Sequence, residues 1–366
     1  MILISAQAFP PRSGGIQTLM DGFARAAAKE NEVVVYADGD RRAATYDREA
    51  AAPYTVRRFS GLKQWRRRNK ASAIKRFCQE NTVSHIVCDS WKSAEFLSAD
   101  SGGPILIYAH GNEFPQDPNS SKTARIMRSL EKADHIIAVS SQTALRVQAY
   151  LPHSGGPKLH VRPNPVSKPD TTMQTDKAFA EALWPSGGTR LLVLCRLVDW
   201  KGIDTAITAL RQLRLKDVKA QMVIAGTGPD LERLREIVES VDLSAHVTFA
   251  GRVEGGRKSA LFDSADIYMQ PGRQVGDQCE GFGITYIEAG LHRLPSISGK
   301  AGGAPDAVLD GKTGLVVDGE NLNEVVIALQ GLIDEPDRAS HMGNAAYAHA
   351  QTLLWDRQIG EVLALT

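Results

Sequence analysis

Short runs that are apolar at nearly every position alternate along this chain with longer stretches whose apolar residues recur every three or four positions. In the first half the runs are ILISAQ, EVVVYA, TVRRF, HIVCDS, ILIYAH, HIIAVS and LHVRP, with helical spacing between them in TLMDGFARAAAKE and TARIMRSLEKA. Several runs have no polar face, which is how a strand buried on both sides of a parallel sheet reads. After NPVSKPDTTMQTD, rich in Pro, Thr and Asp, the pattern restarts with LLVLCR, QMVIAG, HVTFAG, DIYMQ, PSISG and GLVV, separated by helices such as DLERLREIVESV. The alternation predicts an α/β fold with parallel sheets. The restart predicts two Rossmann-like domains joined near residues 166–176.

A length of 366 residues agrees with two cores rather than one. With 43% apolar residues, 23% charged residues and a net charge of +1, the chain is globular in composition and has no global field for nucleic acid. Cys78, Cys88, Cys195 and Cys279 form no CxxC pair and read as separate reduced thiols. MILISAQAF lacks a basic n-region and the apolar length of a signal peptide, and no run approaches the ~20 apolar residues that span a bilayer. The expectation is a cytoplasmic protein, at most peripheral on a membrane. Residues 57–76, RRFSGLKQWRRRNKASAIKR, hold basic residues, Phe59 and Trp65 but no acid. A solvated basic helix face and a patch for anionic lipid headgroups both fit that stretch.

Ligands of open parallel sheets bind beyond the carboxyl ends of the strands, so the loops directly after the apolar runs carry the candidate chemistry. AFPPRSGGIQT ends its strand at Pro10 and Pro11 and offers Gly14 and Gly15 before a helix from about Ile16. A lone Gly-Gly is more often an ordinary turn than an anion loop. AHGNEF puts His110 at a strand's carboxyl end, a place to touch substrate, although a lone histidine there is usually structural. In CRLVDWKGID, Arg196 and Lys201 combine a guanidinium fork with a point-charge ammonium, a pair suited to a diphosphate. AGTGPDLERL carries Gly226-Thr227-Gly228, but Pro229 breaks the dinucleotide spacing, so a tight turn lining a pocket is the better reading. Asp38-Gly39-Asp40 imitates paired metal-binding acids yet reads as a polar turn beside Arg41 and Arg42, and no other grouping has metal spacing.

EGFGITYIEAG, residues 280–290, is the most telling stretch. Gly281, Phe282 and Gly283 precede a helix, and the acids Glu280 and Glu288 bracket it. The first amides of that helix suit an anion or hydroxyl oxygens, and carboxylates suit the vicinal hydroxyls of a sugar. Two acids also serve glycoside hydrolases, but a hydrolase has no need of diphosphate-binding cations. With Arg196 and Lys201 the set favours an activated, diphosphate-bearing sugar.

FPPRSGGIQ, HGNE, CRLVDWKG, AGTGP, EGFGITYIE and GGAPDAVLDGKTGLVV follow one another in this order. In this the sequence resembles the retaining glycosyltransferases of family 4 over nearly its whole length, and FPPRSGGIQ is similar to the phosphatidylinositol mannosyltransferases that use GDP-mannose. The resemblance implies the GT-B fold, two Rossmann-like domains with parallel sheets facing across a cleft. It implies an acceptor-side domain over 1–167, a nucleotide-sugar domain over 168–345, and a C-terminal helix within 346–366 packing back towards the first. By the same resemblance Glu280 holds hydroxyls of the donor sugar, Glu288 the ribose, and Arg196 and Lys201 the diphosphate. Gly281, Phe282, Gly283 and Ile284 would surround sugar and phosphate, and Gly226 and Thr227 would line the donor pocket. His110 would lie near the reacting carbon, Gly14 and Gly15 would close over the phosphates, and Arg252 and Val253 would meet the base. Departures are NPVS at 164–167 for an Asn-Gly-Val-Asp-like turn, Leu291-His292 where Cys-Gly is common, and Asp277-Gln278-Cys279 before Glu280.

The implied reaction is front-face attack by an acceptor hydroxyl with retention, needing no metal and no cofactor, in a site completed as the domains close. The donor expected first is GDP-mannose, with a UDP-hexose next, and the acceptor is lipid-linked or a glycan in bacterial polysaccharide or glycolipid synthesis. The rival readings are a nucleotide-sugar-binding protein without turnover and a GT-B epimerase or phosphorylase. A dehydrogenase is disfavoured by its broken fingerprint.

Overall fold

The structure is a computed structural model that describes residues 1–99, 102–117, 120–152, 155–185 and 187–365. Two compact units divide the chain, one of Met1–Ser167 with Leu354–Thr366 and the other of Lys168–Leu353.

The first unit is built on β1 (Ile2–Ala6), β2 (Val33–Asp38), β3 (Thr55–Phe59), β4 (His85–Cys88), β5 (Ile105–Ala109), β6 (His135–Ala138) and β7 (Lys158–Val161). All pair in parallel in the order β3-β2-β1-β4-β5-β6-β7. The central strands are buried along their whole length, whereas the edge strands β3 and β7, which carry TVRRF and KLHV, are partly exposed. Side-chain polarity thus sorts the strands between centre and edge.

The second unit repeats the plan with β8 (Thr189–Leu194), β9 (Ala220–Ala225), β10 (Val247–Gly251), β11 (Ile267–Gln270), β12 (Ser296–Gly299) and β13 (Gly314–Val317). Their order is β10-β9-β8-β11-β12-β13, again all parallel. Each apolar run read from the sequence is therefore a strand. Winding reverses between β1 and β4 in one sheet and between β8 and β11 in the other, and these are the crevices where open α/β sheets take ligands. The loops with Gly14, Arg196, Lys201 and Glu280 leave the sheets at those points.

The C-terminal boundary differs from the expectation of 346. The helix Pro336–Thr352 packs on the helix Ile284–Leu291 of the second unit, with Arg293 stacked 4.0 Å from the Tyr347 ring. Only from Leu354 does the chain rejoin the first unit. There the Trp355 amide donates to the Val166 carbonyl at 3.0 Å, and its ring meets Phe23 edge-on at 5.8 Å. All four cysteines are free thiols.

Candidate active site

At the carboxyl end of β8 the chain makes a short 3-10 turn, Asp199–Lys201, and enters the helix Ile203–Arg214 through Gly202. Gly202 has φ 67°, and a Cβ there would lie 1.9 Å from the Pro271 carbonyl oxygen, so only glycine lets this turn press against the loop after β11. Arg273 locks the two loops together. Its amide donates to the Trp200 carbonyl at 2.9 Å, and its guanidinium donates to both oxygens of Asp204 at 2.8 Å and to Asp199. Burial would raise the Asp204 carboxyl, but Arg273 and Arg233 outweigh it and hold it below the usual range.

This clamp sets Lys201 against Glu280. The Lys201 ammonium donates to Glu280 Oε2, and both side chains are 14% exposed. Burial alone would raise the Glu280 carboxyl, yet the Lys201 charge and hydrogen bonds from Lys201, Gln270 and the Gly281 amide bring it below its ordinary value. Burial likewise opposes the Lys201 charge, and Glu280 foremost reverses that and raises it. Cys195 stands beside the pair as an inert thiol, pushed up to about 12 by burial. Arg196 is different: it is exposed and makes no hydrogen bond or ion pair among the described residues. The structure thus joins Lys201 to Glu280 and leaves Arg196 as an unpaired cation on the same loop.

Gly283, with φ 95° and ψ 61°, caps the helix Ile284–Leu291, where the sequence placed the helix start. Phe282 is buried and anchors the turn. Glu288 lies one helical turn further along and is not bonded to Glu280. It accepts from Lys258 Nζ at 2.5 Å, a lysine of the helix Gly255–Asp263. Thr227 accepts the Leu197 amide at 3.0 Å through its carbonyl, and the Gly226 amide donates to Gly251 at 2.7 Å, so AGTGP is a tight turn behind the Arg196 loop. Val253 is half-buried, and the Arg252 guanidinium is turned to Glu254 at 2.9 Å.

In the first unit His110 follows β5. Its Nε2 donates to the Asp89 carbonyl at 2.8 Å, which fixes the proton on that nitrogen and leaves Nδ1 available. Asp89 is itself tied to the loop after β1, accepting the Gln7 and Ala8 amides at 2.7 Å each. Gly14, exposed with φ 151°, caps the helix Gly15–Ala27. Asp38 is a structural acid: it is buried and pairs with Lys70 and Arg66, both at 2.9 Å. Asp40 binds Arg12 and Arg42, as a polar turn would.

Comparison with known proteins then decides the family. The model of glycosyl transferases group 1 matches residues 174–349, and that of Glycosyltransferase Family 4 matches residues 13–168. A GDP-mannose-dependent alpha-(1-6)-phosphatidylinositol monomannoside mannosyltransferase of Mycolicibacterium smegmatis is 31% identical over 358 residues, 94% of this chain and 92% of that protein. The chain belongs to glycosyltransferase family 4. A related mannosyltransferase of Corynebacterium glutamicum, which acts on the monoacylated substrate, is 28% identical over 95% of this chain and 93% of its own. Anabaena HepE in complex with UDP shares the fold with a TM-score of 0.79 at 19% identity, covering 100% of both chains. Sucrose-phosphate synthase of Thermosynechococcus elongatus does so at 0.74, also at 19% identity, over 99% and 97% of the two chains. The fold is GT-B.

In this glycosyltransferase the basic stretch 57–76 is divided between structure and surface. Lys70 is buried on Asp38 and the Ala6 carbonyl and Arg67 on Glu95 and Gln7, while the half-buried Arg58 pairs with Asp47. Lys63, Arg68, Lys75 and Arg76 remain exposed. With them stand Leu62, 77% exposed, and Trp65, 65% exposed, at the start of the helix Lys63–Glu80. No helix among the described residues is long and apolar enough to cross a membrane. Sequence reasoning missed Arg273, Lys258 and Gln270, which are unremarkable alone and gain meaning only from what they touch.

Proposed function

We propose that this glycosyltransferase transfers mannose from GDP-mannose to a hydroxyl of a lipid-linked acceptor, with retention and without a metal. The observation that carries this is the charge arrangement beyond β8 and β11: Arg196 without a partner among the described residues, and the Lys201–Glu280 pair near the helix start at Gly283. A diphosphate would give Arg196 its missing anion and draw the Lys201 ammonium. As the bond from sugar C1 to the diphosphate oxygen breaks, the charge growing on that oxygen meets cations already in place. The acceptor oxygen bonds to C1 on the face the diphosphate leaves, and its proton passes to the departing phosphate. Glu280 accepts the donor sugar's hydroxyls and Glu288 those of the ribose. Mannose and GDP are supported by the GDP-mannose dependence of the mycobacterial and corynebacterial relatives, and a lipid acceptor by their phosphatidylinositol mannoside substrates.

Calorimetric titration with GDP, UDP and their sugar conjugates tests the donor. GDP-mannose is expected to bind, and Arg196→Ala to weaken it about ten- to a hundredfold, the range for hydrogen bonds to a charged group. Because Arg196 holds nothing in the fold, the melting curve should not move. Unchanged affinity in the variant removes Arg196 from the diphosphate. Preference for a UDP-hexose changes the donor, and a bound donor with no acceptor-dependent turnover leaves only a binding protein.

The exposed Leu62 and Trp65 beside Lys63 and Arg68 support docking on anionic lipid. The double variant Leu62→Ser/Trp65→Ser should lose sedimentation with phosphatidylglycerol vesicles while keeping donor affinity. Equal sedimentation of variant and wild type would assign this surface to solvent.

A further inference from the structure

Gln270 ends β11, a central strand, and is fully buried. An apolar side chain there would carry no polar atoms of its own to satisfy, whereas a buried primary amide is tolerated only when its donors and acceptor are met. They are met in full. Nε2 donates to Glu280 Oε2 at 2.7 Å and to Tyr286 Oη at 3.1 Å, while Oε1 accepts from Tyr268 Oη at 3.2 Å. Tyr286 Oη donates in turn to the Gln270 carbonyl at 2.7 Å, and the single Tyr268 hydroxyl proton is shared between Gln270 Oε1 and the Leu194 carbonyl 3.0 Å away. The amide orientation is forced, since its reverse would set a carbonyl oxygen against the carboxylate. Burial keeps both phenols well above their ordinary range, so they stay protonated donors.

Glu280 Oε2 therefore has two donors of opposite character. Lys201 brings a point charge on a flexible stem that a diphosphate can attract away, and Gln270 brings a neutral donor held from three sides. We infer that Gln270 is a positioning residue for Glu280: it keeps the carboxylate in place for the donor sugar when Lys201 turns to the diphosphate. This rests on the reading of Glu280 as the donor-sugar acid.

Two variants and two readouts test it. Gln270→Met removes the amide at similar volume, and Gln270→Glu keeps the shape but sets a second carboxyl against Glu280. Gln270→Met is expected to lower kcat about ten- to a hundredfold, as loss of one hydrogen bond to a charged group would, with KM for the donor nearly constant. The acid limb of the rate profile should move to higher pH, because Glu280 loses a donor that favours its charged form. Gln270→Glu should raise that limb further through like-charge repulsion. Carbon-13 NMR titration of the Glu280 carboxyl, compared between wild type and variants, reads the same shift without turnover. A wild type that transfers no sugar while the carboxyl still shifts would overturn the donor reading and keep Gln270 as the group that sets Glu280. Folded variants with unchanged kcat and unchanged carboxyl titration would overturn the inference, leaving Gln270 as filler of a strand end. If Gln270→Met does not fold, the isosteric Gln270→Glu decides by the same two readouts.

Discussion

Glu280→Gln is expected to lower sugar transfer about 10²–10³-fold, the loss typical of removing one preorganised electrostatic contact in an active site. The substitution keeps the side chain's shape and one acceptor oxygen for Gln270, but removes the charge with which, on the proposed reading, Glu280 holds the donor sugar's hydroxyls. It also leaves Lys201, 14% exposed, without its counter-ion. Turnover measured at saturating donor, together with a melting curve, separates the two effects. Wild-type-like turnover would take Glu280 out of the donor site. In the wild type the same group is expected to set the acid limit. Its carboxyl lies below the ordinary value when folded, because Lys201, Gln270 and the Gly281 amide outweigh burial. The stability it contributes is therefore complete above about pH 4.3, the unperturbed carboxylate value, and is lost as pH falls through the lower folded one.

Lys201→Met is expected to destabilise the second unit by about 3 kcal/mol, the cost of leaving one member of a buried ion pair alone. The methionine fills the lysine stem's space, so the loss comes from the charge and not from a cavity. With Lys201 gone, burial is no longer outweighed by a full charge, the Glu280 carboxyl rises, and the acid limb of activity moves to higher pH. Lys201 is itself raised in the folded state by Glu280 in spite of burial. Its contribution is complete below about pH 10.4 and is lost as pH climbs through the higher folded value. The pair accordingly holds across the neutral range. The double variant Lys201→Met/Glu280→Gln should recover much of the stability lost in either single variant and none of the transfer. Urea unfolding of the three variants checks this, and strictly additive losses would show that the two side chains do not act as a pair.

The strands were legible because a parallel strand buried on both faces must be apolar throughout, and ILISA or AQMVIA can hardly be anything else. The loops that follow them were legible for a related reason: a sheet of that kind binds at its carboxyl edge, where Arg196, Lys201, His110 and Glu280 all stand. The helix start at Gly283 was written in the change from Gly-Phe-Gly to ITYIEAG. Family membership followed from the order of these pieces.

What no local pattern could report is which side chains meet. Lys201 and Glu280 are 79 residues apart, and the crossovers from β8 to β11 bring them together. Gln270 looked like the polar end of a strand until Glu280, Tyr268 and Tyr286 closed around its amide. The basic run 57–76 could not be divided by composition, since Lys70 and Lys63 are chemically the same and only contact with Asp38 and the Ala6 carbonyl distinguishes the buried one. The helix Pro336–Thr352 has a helical pattern that would suit either core, and contact with the helix Ile284–Leu291 assigned it to the second unit. Periodicity and turn chemistry are properties of neighbours along the chain, so the sequence by itself determined the elements, their order and the edge where chemistry occurs. Ion pairing and burial are properties of neighbours in space, so the partners of Lys201, Gln270 and Glu288 were decided only by the tertiary structure.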